Sequence, residues 1–316
     1  MSRRALLLFL LCCTGLIAVA PWVGAPLEGD TARFILTSLR MPRVALAALA
    51  GASLAASGAA LQLLLQNPLA SPSTVGTTAG AALGALALLV LLPAAATPTG
   101  LVVAAFTGAA AVSTAITAAA ASRRLRSGDL ILVGVALTIA SGAVATGLQL
   151  RADAGATVAA VRWSLGSVAT VGAAKPLALA PIAAIAIVWL TLHGRALQTL
   201  AAGPERAASQ GVDPVRLRTE VLAAGSLAVA GAVAFAGPIA FVCLIVPHLV
   251  RLALQPPVRW LVPLSAFGGA AFLVAADAAA RLLLPEQELP VGVLTAALGA
   301  PTLILLLWRN RSRRLA

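Results

Sequence analysis

Apolar residues along this chain run in long, nearly unbroken blocks separated by short polar breaks. About 20 mostly apolar residues make a helix long enough to cross the hydrocarbon core of a bilayer. Ten such blocks are placed, at roughly 5–23, 44–65, 75–92, 100–121, 130–149, 177–193, 221–236, 239–254, 261–280 and 290–308. The seventh and eighth are short and meet at Gly237-Pro238, which reads either as a turn between two helices or as a kink in one. The pattern predicts an all-α, polytopic membrane protein, with residues 1–316 forming a single transmembrane domain. The first block, MSRRALLLFLLCCTGLIAVA, reads as an uncleaved span or as a signal peptide ending near Ala18-Val19-Ala20, and the span is the favoured reading.

The longest polar break, residues 194–219, has the marks of folded structure. Pro204 suits a first helical position and Glu205 a first turn. Gly211 suits a C-terminal cap, and Asp213-Pro214 an N-cap and a new start. The break therefore predicts two short helices. Small residues crowd the spans: Gly80 and Gly84 form a GxxxG, and Ala47, Gly51 and Ala55 recur every four residues. Such faces let helices approach closely where lipid supplies no hydrophobic drive.

Composition sharpens this picture. Hydrophobic residues make up 60% of the chain and charged residues 10%, with mean hydropathy +1.00. A water-soluble domain carries about 25% charged residues, so this chain lacks the polar surface to cover a soluble globule. The net charge of +12 invites a nucleic-acid reading, but the basic residues sit in breaks between apolar blocks and Tyr is absent. Membrane topology accounts for them better. With the N-terminus in the cytoplasm, 15 of the 22 Lys and Arg fall on the cytoplasmic side. They include Arg123, Arg124, Arg126, Arg195, Arg206, Arg216, Arg218, Arg251 and Arg259. Arg33, Arg40, Arg43, Arg151, Arg162, Lys175 and Arg281 fall outside. The bias predicts both termini in the cytoplasm and an even number of spans.

Chemistry is sparse. Cys12, Cys13 and Cys243 lie within apolar runs, and His193 and His248 have no partner at ligand spacing, so no metal or cofactor is expected. No GxxxxGK[ST] occurs, so the chain holds no nucleotide by a P-loop. Ser53 and His248 could supply an intramembrane Ser–His pair, but no nucleophile signature surrounds Ser53. A proton-coupled secondary transporter, the alternative function, needs carboxylates within its spans. Asp277 alone qualifies, and Arg281 four residues on can neutralise it near the outer surface.

Three ordered motifs carry a resemblance that covers about residues 39–308. The first is LRMPRVALAALAGASLAASGAALQLLLQNPLASPSTVGTTAGAALGA (39–85). The second joins GVDP (211–214) to AGPIAFVCLIVPHLVR (236–251). The third is ADAAARLLLPEQELPVGVLTAALGAP (276–301). Together they resemble the permease family of bacterial ABC importers for iron-siderophores, haem and cobalamin. The resemblance implies a type II importer fold and a homodimer in the inner membrane with no enzymatic activity of its own. It implies a separate ATPase subunit and an external substrate-binding protein as partners, with iron-siderophore as the leading cargo, then haem and cobalamin.

The same resemblance implies site residues. Arg40, Arg43 and Arg281 would face acidic residues of the binding protein. Pro204, Glu205, Arg206, Gly211, Asp213, Arg216 and Arg218 would couple to the ATPase. Ser127 and Gly128, in RRLRSGDL, would form the cytoplasmic gate. Pro238 would lie in an outer turn, Pro247 would shape a helix end, His248 would be structural and Arg251 would sit at the cytoplasmic interface. Two departures stand out: Pro204 where the family usually has an acidic residue, and Arg40-Met41 where it has Arg-Leu.

Overall fold

The computed structural model describes residues 2–24, 31–122, 127–283 and 289–312, with the side chains of Ser127, Pro204 and 304–312 excepted. The described residues are helical and connected by short irregular segments. Each of the ten apolar blocks forms a helix: α1 (Arg3–Val19), α2 (Ala32–Leu64), α3 (Thr77–Leu91), α4 (Pro98–Ala120), α5 (Ser127–Gln149), α7 (Ala174–Leu192), α10 (Pro214–Ala236), α11 (Val242–Leu254), α12 (Val258–Leu283) and α13 (Val291–Ser312). Three shorter helices complete the set: α6 (Ala154–Ser164), α8 (Gly194–Ala201) and α9 (Pro204–Ser209).

The small-residue faces lie at the closest crossings. α2 packs on α12 where Gly51 meets Gly269: a Cβ on either would strike the other's backbone carbonyl. Further along α2, Gly58 lies against the backbone of Cys243 in α11, and Ser57 donates to the Gly225 carbonyl of α10 at 3.0 Å. The GxxxG of α3 meets α4, with Gly80 facing the Gly108 carbonyl and Gly84 that of Ala104. α2, α10 and α12 thus form the buried centre of the bundle, while α1, α4, α5 and α7 leave most of their surface uncovered.

α2 starts twelve residues earlier than its apolar block, through a π-helical stretch over Ile35–Arg40. Pro42 explains the irregularity. It has no N–H to give to the carbonyl of Ser38, and that carbonyl accepts instead from Gly172 at 2.7 Å.

The structure corrects two expectations, adds two helices and decides one open alternative. The second short helix expected after Asp213 is the first turn of α10, which runs unbroken to Ala236; the cap is correct, but nothing stops the helix before the apolar run. α8 and α6 were not anticipated, although Asp153 caps α6 through the Ala156 N–H at 2.6 Å. Gly237-Pro238 is a true break, with residues 237–241 irregular and Gly237 at φ +71°. Pro247 lies inside α11 rather than at its end.

Candidate functional site

The helix ends sort into two groups, and the predicted site residues divide between them. At one end, Arg40 and Arg43 of α2 meet Arg281 of α12. Arg43 and Arg281 converge on Asp277, which is fully buried. Arg43 donates from Nε to Asp277 Oδ1 at 2.9 Å. Arg281 Nε lies 3.2 Å from Oδ2 but off the line of a hydrogen bond. The rest of the Arg281 guanidinium donates to the carbonyls of Val23 at 2.7 Å and Ala20 at 3.0 Å. Arg40 reaches the Pro21 carbonyl at 3.4 Å. The expected pairing of Asp277 with Arg281 is therefore half of a larger arrangement that also holds Arg43, and its carboxylate is buried rather than interfacial.

Beside this cluster opens a cavity of about 880 Å³. Val102, Phe235 and Leu39 give it apolar walls, and Arg40, Arg43 and Arg281 line it together with Lys175, the chain's sole lysine. Sequence reasoning placed Lys175 at this end but gave it no role.

The other end carries the segment predicted to couple to an ATPase. Pro204 opens α9, with Glu205 and Arg206 exposed on it. The helix closes on Gly211 at φ +79°, whose N–H reaches Ala208, while the Val212 N–H reaches back to Ala207. These are the bonds of a Schellman cap. Asp213 then caps α10, accepting from the Val215 and Arg216 N–H groups at 2.9 and 3.4 Å. Arg216 donates to Glu220 at 2.8 Å, and the second oxygen of Glu220 lies 2.7 Å from His193 Nε2 at the end of α7. Arg218 sits half-buried on the next turn.

Two glutamines tie this segment to the bundle. Gln66 donates to the Leu200 carbonyl of α8 at 3.0 Å. Gln62, buried one turn earlier in α2, donates to the Cys243 carbonyl at 3.1 Å and accepts from Arg251 at 2.7 Å. The signal was present in the sequence, as two amides spaced i, i+4 in an apolar run. His248, three residues before Arg251, is half-buried.

Of the expected gate, residues 123–126 and the Ser127 side chain lie outside the described residues. Ser127 begins α5, and Gly128 is exposed with open space around it. The Ser53 hydroxyl is buried without a hydrogen-bond partner, so no base is positioned to activate it. Among the described residues, no cluster of His, Cys, Asp or Glu could hold a metal ion.

Residues 5–309 match the FecCD transport family. The vitamin B12 import system permease protein of Vibrio cholerae is 41% identical over 276 residues, covering 87% of this chain and 83% of that relative. The cobalamin import system permease protein of Halobacterium salinarum is 41% identical over 299 residues, covering 92% and 78%. The hemin transport system permease protein of Yersinia pestis is 34% identical over 289 residues, covering 90% and 86%. Among solved structures, a metal-chelate type ABC transporter in an inward-facing conformation superposes with a TM-score of 0.89 at 27% identity, covering 98% of this chain and all of that one.

Proposed function

The chain belongs to the FecCD transport family and is the permease component of an ABC importer; we propose that its cargo is a cobalamin. The observation that carries this is the 41% identity to vitamin B12 and cobalamin permeases from both Vibrio cholerae and Halobacterium salinarum. The haem permease of Yersinia pestis stands lower, at 34%. Cobalamin therefore replaces iron-siderophore as the leading cargo. The secondary-transporter alternative is not favoured: a fully buried Asp277 already engaged by Arg43 makes a poor proton relay.

In this reading two copies pair, and cargo passes along their two-fold axis. Gly128, Gly142 and Gly147 of α5 support it, because each faces open space where a second backbone could approach. Both termini lie in the cytoplasm of an inner membrane, following the 15-to-7 basic asymmetry. The Arg40 end then faces outward, and Arg40, Arg43 and Arg281 offer positive charge to acidic residues of a binding protein. The segment from Pro204 to Arg218 faces inward, receives an ATPase subunit and transmits its motion through α8 and Gln66 to α2. Ser127 and Gly128 mark the inner constriction.

The test is uptake into vesicles holding the permease and its ATPase, with the binding protein and each cargo supplied outside. Cyanocobalamin should accumulate with ATP, and haem or ferric siderophores should not. Uptake of a ferric siderophore without cyanocobalamin would overturn the assignment.

A further inference from the structure

His193 stands between α7 and α8 and is bonded through both ring nitrogens. Its Nδ1 lies 2.8 Å from the Trp189 carbonyl, one turn back along α7. Its Nε2 lies 2.7 Å from Glu220 Oε2, in the second turn of α10. The Trp189 indole stacks on the imidazole, with ring centroids 5.8 Å apart and planes 26° from parallel. The side chains of His193 and Glu220 are 18% and 26% exposed, so water and salt screen their contact less than that of an open surface pair.

The partners decide where the protons are. A carbonyl oxygen accepts and never donates, so Nδ1 carries a proton. A neutral imidazole has one N–H only, and its Nε2 would then turn a lone pair towards Glu220. A protonated Glu220 could meet that lone pair. Its other oxygen, however, accepts from Arg216 Nε at 2.8 Å, which favours the carboxylate. The arrangement is satisfied by an imidazolium that donates from both nitrogens, to a carbonyl and to a carboxylate. Bonds of that charge-assisted kind are short, as these two are. An indole face within about 6 Å also attracts a cation.

Like charges stand on the elements packed around this ring. Arg195 is on α8, Arg216 and Arg218 are on α10, and Arg259 opens α12 with its carbonyl against Gly194. α9 adds Glu205 and Arg206, and Asp213 is engaged as the cap of α10. The other charged residues of α2, α7 and α12 lie at the opposite end. Glu220 is therefore the acid that balances His193, and the arginines oppose the second proton on its ring.

The place of the bond says what it holds. His193 and Glu220 are 27 positions apart, and α8, α9 and the start of α10 lie between them. The contact closes that segment at its base. With it made, a push on the start of α10 is shared with the end of α7. Without it, only the chain through α8 and α9 joins the two.

We infer that His193, as an imidazolium, is a positioning residue for coupling: it locks the end of α7 to the start of α10, and losing its proton releases them. Histidine changes charge between about pH 5 and 8, so transport driven through this segment falls as the pH at this end rises. The coupling half rests on the role given above to the segment from Pro204 to Arg218; the doubly bonded imidazolium does not.

Two measurements test it. Nitrogen-15 NMR of the purified full-length permease, labelled at its two histidines, reads which ring nitrogens carry protons, and a His248→Asn variant assigns the signals. At about pH 6 both nitrogens of His193 should be protonated, and a neutral ring there overturns the inference. The second measurement is ATP-driven uptake into vesicles at equal pH on both sides, using whichever cargo the parent accumulates. Each variant is compared with the parent at the same pH, so titration of the ATPase and the binding protein cancels. In Glu220→Gln the amide oxygen still accepts from Arg216 and the amide nitrogen donates to a neutral imidazole, so the joint needs no extra proton. The ratio of Glu220→Gln to parent uptake should rise on the order of ten-fold between about pH 6 and 8, the change that one charge-assisted bond sets between closed and open joints. His193→Gln has no titrating ring, and its ratio to the parent should rise with pH in the same way from a lower start. Ratios that stay constant for both variants overturn the inference. Failure of the underlying coupling role looks different: Ala207→Pro would then transport normally, whereas failure of this inference alone leaves Ala207→Pro inactive and the ratios flat.

Discussion

Replacing Asp277 by Asn tests the arginine cluster at its centre. The side chain keeps its size but loses its charge, so the half-buried guanidiniums of Arg43 and Arg281 lose the carboxylate between them. Breaking a buried pair from one side costs about 3–5 kcal/mol, because the stranded charge stays buried. The lower part of that range applies here. Arg281 retains its bonds to the carbonyls of Ala20 and Val23, and the Asn oxygen can still accept from Arg43, so what is lost is the negative charge and not every bond. A loss of about 3 kcal/mol in a chain of this size corresponds to a fall of roughly 6–12 °C in melting temperature. Thermal unfolding of the parent and Asp277→Asn in the same detergent measures it. The double variant Asp277→Asn with Arg43→Gln should recover part of the loss, since one stranded charge is gone. A melting temperature within a degree of the parent would refute the reasoning: it would mean that water or backbone, rather than Asp277, neutralises these arginines.

Four further outcomes are expected. Ala207→Pro removes the N–H that bonds to the Gly203 carbonyl at 3.0 Å and should break α9 at about 3 kcal/mol; uptake should vanish while the bundle stays folded, and normal uptake with α9 demonstrably broken would remove the coupling role. In a cysteine-free background, external thiol reagent should label Ala95→Cys and not Gln210→Cys, and labelling at 210 in intact cells would reverse the topology. Arg40→Glu with Arg281→Glu should slow docking of the binding protein most strongly at low salt, and an unchanged association rate there would dismiss these arginines as a docking surface. Ser127→Cys should cross-link between two copies in some nucleotide states only; a cross-link equal in all of them would argue against a gate.

The spans were legible because lipid leaves the backbone few choices. A chain in hydrocarbon must satisfy its own N–H and C=O groups, so each span announces itself as a continuous apolar run. Caps were legible for a related reason: Asp213 and Gly211 act on neighbours within a few residues. What escaped depends on distant partners. Nothing local says that Arg43 will meet Asp277, 234 positions later. Nor does Pro247 declare that α11 will continue past it, since proline more often ends a helix. α6 was missed because eleven residues of mixed polarity do not read as a span. Phe241 at φ +67° is invisible in sequence altogether: a bulky residue adopts that conformation only when its surroundings impose it, and here its ring fills the space left by Gly299.

The irregular stretch after Gly237 has a consequence for how the protein can move. α11, at thirteen residues, is about 20 Å long, too short for the hydrocarbon core, so part of residues 237–241 sits at membrane depth. There the main chains of three regions touch directly. Ser167 donates to the Ala236 carbonyl at 2.7 Å, Gly292 donates to the Gly166 carbonyl at 3.3 Å, and the Pro238 carbonyl crowds both glycines. The Phe241 ring against Gly299 is the side-chain contact beside this joint, and the link between α13 and α6 is otherwise main chain. α13 can part from α6 there at the expense of one long hydrogen bond, like a zip with a single tooth engaged, while the interdigitated centre of α2 and α12 stays closed. Deuterium should therefore enter at the Gly292 amide long before it enters at Gly51 or Gly269, marking this joint as the place where the bundle first yields.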